Sequence, residues 1–295
     1  MAWTPIQIGI AQGSVLGWAV LCFSMAYRLL GFADLTVEGS LALGAGTYAI
    51  LVRQGFPVSQ CLLLALLAGS LAGALTGAIH AYFRVNQFLA GIIVVAISFS
   101  STLRIMKGPN ISLIGRASLL SKFGLVDNGA TQTITLLLLL LFGAGLLIVL
   151  FRSKLGIALR AVGANHRLAD ELGLRSALLI VSGLALCNAL AAISGVLLAE
   201  VQGFADVSNG QGILIISLAA LTIGEKLTPS RLLAYPIFVI IAALVGSITY
   251  QVVIAFALRL GLPATDLRLA TGLLVLGIVA TRMRTGRDNV LGASL

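Results

Sequence analysis

The chain has 295 residues, of which 59% are hydrophobic and only 10% are charged, and its formal net charge is +9. A soluble domain carries about 25% charged residues because its surface must hold water, so this composition excludes a soluble globular protein. It predicts an all-α, polytopic membrane protein whose outer surface meets lipid. The basic residues cluster at the ends of apolar segments, which favours membrane orientation over nucleic-acid binding.

The N-terminal stretch MAWTPIQIGIAQGS has no basic region before its apolar run and no clear cleavage site. We therefore expect a retained helix and not a signal peptide. The three cysteines, Cys22, Cys61 and Cys187, all lie inside apolar runs. They are predicted to be buried thiols, with no disulfide and no metal site.

Nine apolar segments follow one another along the chain, each long enough to cross, or nearly cross, about 30 Å of hydrocarbon. They cover residues 6–29, 38–52, 58–83, 88–106, 131–151, 176–199, 207–225, 231–257 and 266–282. The second segment is short and glycine-rich, so a tilted or partial span is expected there. Helix is predicted throughout, since backbone exposed to lipid must satisfy its own hydrogen bonds.

Two basic clusters set the predicted orientation. One lies in the connection 152–175, and the other begins at Arg282 and continues into the tail 283–295. Placing both in the cytoplasm requires an even number of spans between them, and four are predicted. The N-terminus is then outside and the C-terminus inside a bacterial inner membrane, with residues 107–130 as the main external loop.

Two stretches of the chain begin alike, GFADLTVEGS at residues 31–40 and GFADVSNGQG at residues 203–212. Each follows one long apolar segment and precedes a helix rich in small residues and two further spans, but the two lie on opposite sides of the membrane. Residues 6–106 and 176–282 are therefore predicted to be inverted-topology repeats joined by a linking helix, 131–151. The alternative is that GFAD recurs by chance at two helix starts, where aspartate is favoured.

The source of energy is predicted to lie outside this chain. No charged residue falls in the middle of a predicted span, which argues against a proton-driven carrier, although a sodium site built from carbonyls and hydroxyls would escape this test. The lysines occur in no G-x-x-x-x-G-K context, so no nucleotide is expected to bind through a P-loop. Any ATP-driven work must come from a partner protein.

The connection 152–175, RSKLGIALRAVGANHRLADELGLR, is the only long, charged and helix-compatible cytoplasmic segment. Its two glycine breaks predict two short helices along the membrane surface. Leu155, Ala158, Leu159 and Val162 form one apolar face, which indicates docking to a partner ATPase. The alternative is an interfacial helix that only anchors the chain to lipid.

The pattern G-x-A-x-R-A-x-G-x-N at residues 156–165, together with GFADLTVEGS and LRIMKGPNIS, resembles permeases of ATP-binding-cassette (ABC) importers. The subgroup is that of branched-chain amino acid and ribose-type uptake systems, and the resemblance covers nearly the whole chain. It is closest to a branch associated with aromatic (tryptophan/tyrosine-like) or other amino acids.

This resemblance implies a type II importer fold in which two permease subunits, identical or different, enclose a path through the lipid bilayer. Cytoplasmic ATPases would bind the ATP and Mg, and an external solute-binding protein would meet loop 107–130 and the turn 258–266. This chain itself would bind no cofactor and catalyse no reaction. The residues implied in coupling to the ATPase are Leu155, Gly156, Ala158, Leu159, Arg160, Ala161, Gly163, Asn165, Ala169 and Gly173.

Polar side chains within the spans are the candidates for lining the path, because they cost free energy unless they meet partners or water. They are Ser40, Thr47, Tyr48, Asn86, Gln87, Ser98, Ser101, Gln211 and Ser217. About half are expected to be structural, since serine and threonine can bond their own helix backbone. The hinge aspartates, Asp34 and Asp206, are read as helix caps and not as substrate ligands.

Three other functions are weighed against an amino acid importer. An importer permease for a sugar or nucleoside would share the same sequence pattern. A stand-alone secondary carrier or channel could use the inverted repeats without an ATPase. An intramembrane enzyme would need paired catalytic groups, and the two histidines, His80 and His166, lie on different segments and are given no role.

Overall fold

A computed structural model gives the structure of residues 4–116, 119, 129–229, 231–261, 263, 266, 269, 271–273 and 276. Within this part of the chain the fold is a bundle of α-helices. Their bounds are α1 (Pro5–Ser24), α2 (Val37–Arg53), α3 (Val58–Phe83), α4 (Gln87–Met106), α5 (Gly129–Arg152), α6 (Lys154–Ala164), α7 (His166–Glu171), α8 (Ser176–Gln202), α9 (Ile213–Leu227) and α10 (Pro236–Arg259). The prediction of an all-α, polytopic membrane protein is confirmed.

The described residues include seven helical segments long and apolar enough to cross a membrane: Pro5–Leu29, Val58–Phe83, Gln87–Met106, Gly129–Arg152, Ser176–Gln202, Val207–Leu227 and Pro236–Arg259. The predicted short segment 38–52 forms α2, whose 17 residues are fewer than a straight span needs. Most of the predicted segment 266–282, and all of the tail 283–295, lie outside the described residues. Within the predicted external loop, 107–130, the structure covers 107–116, 119 and the start of α5.

Short non-α elements interrupt the bundle at the two GFAD stretches. α1 continues into a π-helical turn, Met25–Leu29, which leads into the first stretch. At the second, strand β2 (Phe204–Asp206) precedes a 3₁₀ turn, Val207–Gly210. Strand β2 pairs antiparallel with β1 (Asn110–Ser112) from the loop that is predicted to be external, with Ile111 opposite Ala205. A purely helical chain was predicted, and this ladder is the exception, since backbone away from lipid is free to pair.

Glycine stripes draw the long helices together. Gly9 and Gly13 lie four residues apart on α1 against α10, and a Cβ on Gly13 would lie 2.7 Å from the Ile248 Cα. Gly69 carries the same kind of contact from α3 to α8, where a Cβ would lie 2.6 Å from the Ala192 Cβ. Small residues let membrane helices approach backbone to backbone, so α1 packs on α10 and α3 packs on α8.

The two shorter helices, α2 and α9, fill the centre of the bundle. Gly44 brings α2 against Ala192 of α8, and Gly246 of α10 brings that helix against Ala220 of α9. By contrast, α3, α4 and α5 expose large apolar side chains. Examples are Leu71, Ile92, Leu138 and Phe142. An apolar outer face of this kind suits contact with lipid and not with water.

Candidate functional site

The two GFAD stretches share two local features, although only the second forms a strand. Each begins at a glycine with positive φ, Gly31 at +64° and Gly203 at +76°, which ends the preceding helix as a left-handed residue. Three residues later, the Oδ1 atom of Asp34 accepts a hydrogen bond from the Thr36 amide at 2.8 Å. The Oδ1 atom of Asp206 accepts one from the Ser208 amide at 2.7 Å. Both aspartates therefore fix a turn before a shorter helix.

The first of these aspartates lies in a buried polar network. The Nδ2 atom of Asn188 donates to the Asp34 carboxylate at 2.6 Å, and the Ser40 hydroxyl donates to the Asn188 Oδ1 atom at 2.7 Å. All three side chains are fully buried. A second pair of hydroxyls, Thr36 and Thr76, meet at 2.6 Å beside them. The network joins α2, α3 and α8 through side chains alone.

Asp34 lies outside every predicted span, yet this network holds its carboxyl group against the middle of one. Asn188 is near the middle of the 27-residue α8, and Asp34 bonds directly to it. The sequence places Asp34 between two apolar segments, which is where an exposed turn is expected. In the structure the chain folds back into the bundle after Gly31, so residues between helices lie inside the protein.

A second carboxylate connects the starts of the two shorter helices, α2 and α9. The Oε1 atom of Glu38, in the first turn of α2, accepts from the amide of Gly212 at 3.0 Å and from that of Leu214 at 3.4 Å. These amides belong to the N-terminus of α9, where backbone N–H groups have no partner within the helix. The carboxylate also suits the positive end of the helix dipole, so the N-termini of α2 and α9 are tied together.

Two further side-chain bonds hold the ends of the central helices. Near the end of α2, the Tyr48 hydroxyl donates to Glu200 of α8. At the opposite end of the bundle, Arg28 of the π turn forms a two-pronged ion pair with Glu225 in the last turn of α9. Arg28 is about one-third exposed and Glu225 is nearly buried. Neither pairing was predicted, since each joins residues more than 150 positions apart.

The predicted lining residues do not form one surface. Ser40 and Tyr48 are buried in the bonds described above, and Ser98 is buried against α2. The Ser217 hydroxyl is buried on α9, and neither it nor the Thr47 hydroxyl has a hydrogen-bond partner among the described residues.

The remaining lining candidates lie nearer the surface. Asn86 is exposed and caps α4 by accepting from the Phe88 amide at 2.9 Å. Gln87 lines a small cavity beside Gly31, and Ser101 is partly exposed on α4. Gln211 lines a separate cavity at the start of α9. The set therefore divides into structural polar groups and a few side chains that face open space.

The connection 152–175 forms two short helices, α6 and α7, as predicted. The Ser153 hydroxyl accepts from the Gly156 amide at 3.4 Å at the start of α6. Asn165 accepts from the Leu168 amide at 3.1 Å at the start of α7. Gly173, with φ at +81°, ends the pair and leads into α8. Side-chain caps thus fix the starts of both helices, and a left-handed glycine fixes the end of the pair.

Part of the predicted docking face is used within this chain. Leu159 and Val162 are buried, and Leu159 contacts the position of Gly183 on α8. These two side chains anchor α6 to the bundle, so they do not present a surface to a partner. The sequence pattern could not separate the two roles, because an apolar helix face suits either. The apolar side chains exposed on the pair are Leu155, Ile157, Leu168 and Leu172.

Other members of the predicted coupling set also have internal roles. Arg160 donates to the carbonyls of Gly156 and Phe151, both at 3.4 Å. Ala169 is buried, whereas Ala158 and Ala161 are partly exposed. Gly163 lies directly against residues 29–31, the hinge between the π turn and the first GFAD stretch. Its carbonyl oxygen would be 2.9 Å from a Cβ on Gly31. The contact joins the helix pair to the start of the first GFAD stretch.

The two histidines lie on different segments but line one cavity of about 530 Å³, together with Arg84 and Arg175. His166 also approaches Asp170 at 3.4 Å on the exposed surface, a pairing that contributes little to stability. All three cysteines are buried. Within the described part of the chain, no group of three or more histidine, cysteine or acidic side chains could hold a metal ion.

A bundle of membrane-spanning helices, in which two shorter helices each follow an aspartate turn and a helix pair packs against the first of these turns, is the architecture of a multi-pass membrane protein. The chain belongs to the family described as "Branched-chain amino acid transport system / permease component", whose model matches residues 6–280. The resemblance found in the sequence is therefore confirmed, and the chain is a transport subunit of the ABC importer class.

Three relatives illustrate the range of this family. The chain is 34% identical to a tyrosine transport system permease protein of Clostridioides difficile over 277 residues, covering 92% of this chain and 89% of that protein. It is 32% identical to an uncharacterized protein of Rickettsia prowazekii over 267 residues, covering 90% and 93%. It is 27% identical to a galactofuranose transporter permease protein of Escherichia coli over 203 residues, covering 66% and 56%. No solved structure matches the chain.

Proposed function

We propose that this chain is the membrane-spanning subunit of an ATP-driven importer that moves an amino acid into a bacterial cell. Family membership supports transport. The relative named for tyrosine, which matches over most of both chains, supports an amino acid as the solute. The relative named for galactofuranose is more distant and covers less of the chain, so a sugar is the weaker alternative.

The proposal includes the partners that such an importer needs. Cytoplasmic ATPase subunits would hold the ATP and Mg, and this chain would contribute no catalytic group. A second permease subunit, identical or different, would complete the path, and a solute-binding protein would deliver the amino acid from outside. The N-terminus is assigned to the outside of the inner membrane, because the basic segment 152–175 belongs in the cytoplasm.

The observation that carries the proposal is the contact between α6 and the hinge. Gly163 lies against Leu29, Leu30 and Gly31, where the π turn gives way to the first GFAD stretch. A partner that moves α6 therefore acts directly on the segment that leads into α2. The ion pair between Arg28 and Glu225 extends the same displacement to the end of α9. Both central helices are thus linked to one docking element.

The inverted repeats, residues 6–106 and 176–282, are also part of the proposal. Two features support them. The GFAD stretches share the same aspartate turn, and the first helix of each proposed repeat packs on the third helix of the other: α1 on α10, and α8 on α3. A path between α2 and α9 would then lie near the pseudo-symmetry axis, as it does in transporters built from inverted repeats.

A second candidate function is an ion-coupled carrier, and one observation favours it. Asp34 is an ionisable group at mid-depth, the kind of residue that carries coupling ions in secondary transporters. In this conformation, however, its carboxylate is fully buried and bonded to Asn188 and Thr36. The closed network favours a structural role for Asp34 over an ion path.

The test is uptake of radiolabelled amino acids into vesicles that contain the chain with its co-purified ATPase and binding protein. The proposal predicts uptake that requires ATP on the side of the membrane that carries the ATPase. Uptake should stop when the ATPase is inactivated. Uptake that persists without ATP and follows an imposed ion gradient would establish the carrier instead.

A further inference from the structure

The end of α3, helix α7 and the start of α8 enclose the cavity of about 530 Å³ that both histidines line. Arg84, which directly follows α3, and Arg175, which directly precedes α8, contribute two guanidinium groups to its wall. Among the described lining residues, Asp170 is the one acidic side chain. Because arginine is always charged in proteins, the two guanidinium groups outnumber the carboxylate, and the described wall has a net positive charge.

The carboxylate of this wall already has a neighbour on its own helix. The Oδ2 atom of Asp170 approaches the Nδ1 atom of His166 at 3.4 Å. Neither Arg84 nor Arg175 forms an ion pair with a described residue. The two positive charges of the cavity are therefore available to a ligand.

A buried hydroxyl group also lines the cavity. Ser176 is 1% exposed, and its hydroxyl forms no hydrogen bond with any described residue. Asp170 lies near Ser176, and this proximity lowers the pKa of the Asp170 carboxyl group, but the serine hydroxyl does not bond to it. A buried hydroxyl without a partner costs free energy. A ligand in the cavity can supply the missing bond.

The same serine begins a long helix. Ser176 is the first residue of the 27-residue α8, whose N-terminus has no side-chain cap. The N-terminus of a helix carries a partial positive charge and backbone N–H groups without partners in the helix, so it attracts anions. The helix end, the hydroxyl and the two guanidinium groups therefore all favour a negatively charged ligand.

The chemistry of these donors indicates a phosphate group. Arginine binds phosphate through two parallel hydrogen bonds, and the several oxygens of a phosphate can accept from both arginines and from the serine hydroxyl. A metal cation would instead be repelled by the guanidinium groups. The volume of the cavity lies within the range for small-molecule sites, about 300–1,000 Å³.

The surroundings of Arg84 indicate the source of the phosphate. Tyr82 and Phe83, the last two residues of the membrane-spanning α3, are 64% and 76% exposed. Exposed aromatic side chains at the end of such a helix are typical of the headgroup region of a bilayer. Basic pockets between membrane helices at this level bind anionic headgroups, so a lipid is favoured over phosphate from solution.

We propose that this cavity binds a phosphate group through Arg84, Arg175 and the Ser176 hydroxyl, and that the phosphate belongs to an anionic lipid. The inference goes beyond the proposed function, since this ligand is not transported. It also bears on the helix pair, because α7 has a single buried residue, Ala169. A lipid phosphate beside α7 would give that helix a further attachment to the bundle.

The test measures thermal unfolding of the full-length chain, purified in mild detergent and freed of lipid, at constant ionic strength. Phosphatidylglycerol should stabilise the wild type saturably, whereas phosphatidylcholine, which has no net charge, should not. Arg84→Gln and Arg175→Gln should each raise the half-saturating concentration about tenfold, since each removes a hydrogen bond to a charged group. Arg152→Gln, at an exposed arginine that ends α5, is the matched control and should bind as the wild type does.

Ser176→Ala separates ligand binding from a structural role of the cavity. Without lipid this variant should be at least as stable as the wild type, because it removes a buried hydroxyl that has no partner. Its affinity for phosphatidylglycerol should nevertheless fall several-fold. A structural role alone would change the stability of the lipid-free chain and leave the affinity unaltered.

Inorganic phosphate, titrated in the same way, distinguishes the two sources. Saturable stabilisation by inorganic phosphate and not by the lipid, weakened in the same variants, would support the phosphate site and assign it to phosphate from solution. A wild-type chain that neither probe stabilises would overturn the inference. So would equal affinities of the wild type, both arginine variants and Ser176→Ala. Binding is measured on this chain alone, so its failure would leave the proposed transport function standing.

Discussion

The bond between Asn188 and Asp34 joins two residues 154 positions apart inside the bundle. Asn188 satisfies three neighbours at once, since it donates to Asp34 and to the Leu184 carbonyl and accepts from Ser40. A buried carboxylate depends on such partners, because water cannot replace them.

Replacing Asn188 with alanine should lower the free energy of unfolding by about 1.5–3 kcal/mol, the contribution of a hydrogen bond to a charged group. Thermal unfolding of the purified chain in mild detergent measures the change. The double variant Asp34→Asn with Asn188→Asp exchanges the two side chains. It should be more stable than the alanine variant, because it remakes a carboxylate–amide bond. A single variant as stable as the wild type would show that Asp34 does not depend on Asn188.

Among the structural elements, the helix pair α6–α7 contacts the segment that leads into α2, and the π turn is bonded to α9. Gly163 permits the close contact between α6 and the hinge, because a Cβ there would collide with the Leu29 carbonyl oxygen. Arg28 and Glu225 form the other connection, from the π turn to α9. The two links can be broken separately.

Gly163→Ala should displace α6 from the hinge and reduce substrate-stimulated ATP hydrolysis and transport several-fold, while the complex remains assembled. The matched control is Gly145→Ala on α5, where a Cβ would meet nothing within 4 Å. Removing a glycine from an open helical position is neutral or slightly stabilising. Equal, wild-type transport by both variants would remove the hinge contact from the mechanism.

Breaking the ion pair by Arg28→Gln should slow transport with less effect on ATP hydrolysis, because α9 loses its link to the π turn. The charge-exchanged double variant, Arg28→Glu with Glu225→Arg, should recover transport in part. Rates of uptake and of hydrolysis by the same vesicles give the comparison. If Arg28→Gln transports at the wild-type ratio of uptake to hydrolysis, the pair is only a structural contact.

On the scale of the whole molecule, the exposed apolar side chains on α7 and directly after it form the docking surface that we propose for a partner. Leu168 is 51% exposed and Leu172 is 71% exposed, on a surface assigned to the cytoplasm. Exposed apolar side chains beside charged ones are typical of an interface. The buried side chains Leu159 and Val162 instead hold the pair in place, which gives the docking surface a rigid base.

Composition and periodicity were sufficient to predict the membrane class, the helices and the two short helices of the coupling segment. The repeated GFAD sequence also indicated two equivalent turns, which the aspartate bonds share. The mid-depth position of Asp34 could not be predicted, because it depends on a partner 154 residues away. The same holds for the ion pair of Arg28, whose partner is 197 residues away.

Burial was the other property that the sequence pattern left open. Leu155 and Leu159 are both leucines on the predicted apolar face of α6, yet one is 46% exposed and the other 1%. Only the position of α6 on the hinge separates them. The cavity lined by Gln211 could likewise not be predicted from the sequence, since its walls come from two helices and Thr271.

The most direct test of the central claim is co-purification of the tagged chain from its native host in mild detergent, with identification of stoichiometric partners. We predict a P-loop ATPase that is lost from Leu168→Glu with Leu172→Glu and retained by Phe56→Glu, a control at an exposed side chain away from α6 and α7. Recovery of the wild-type chain alone, folded and able to move amino acids in vesicles without ATP, would contradict the account.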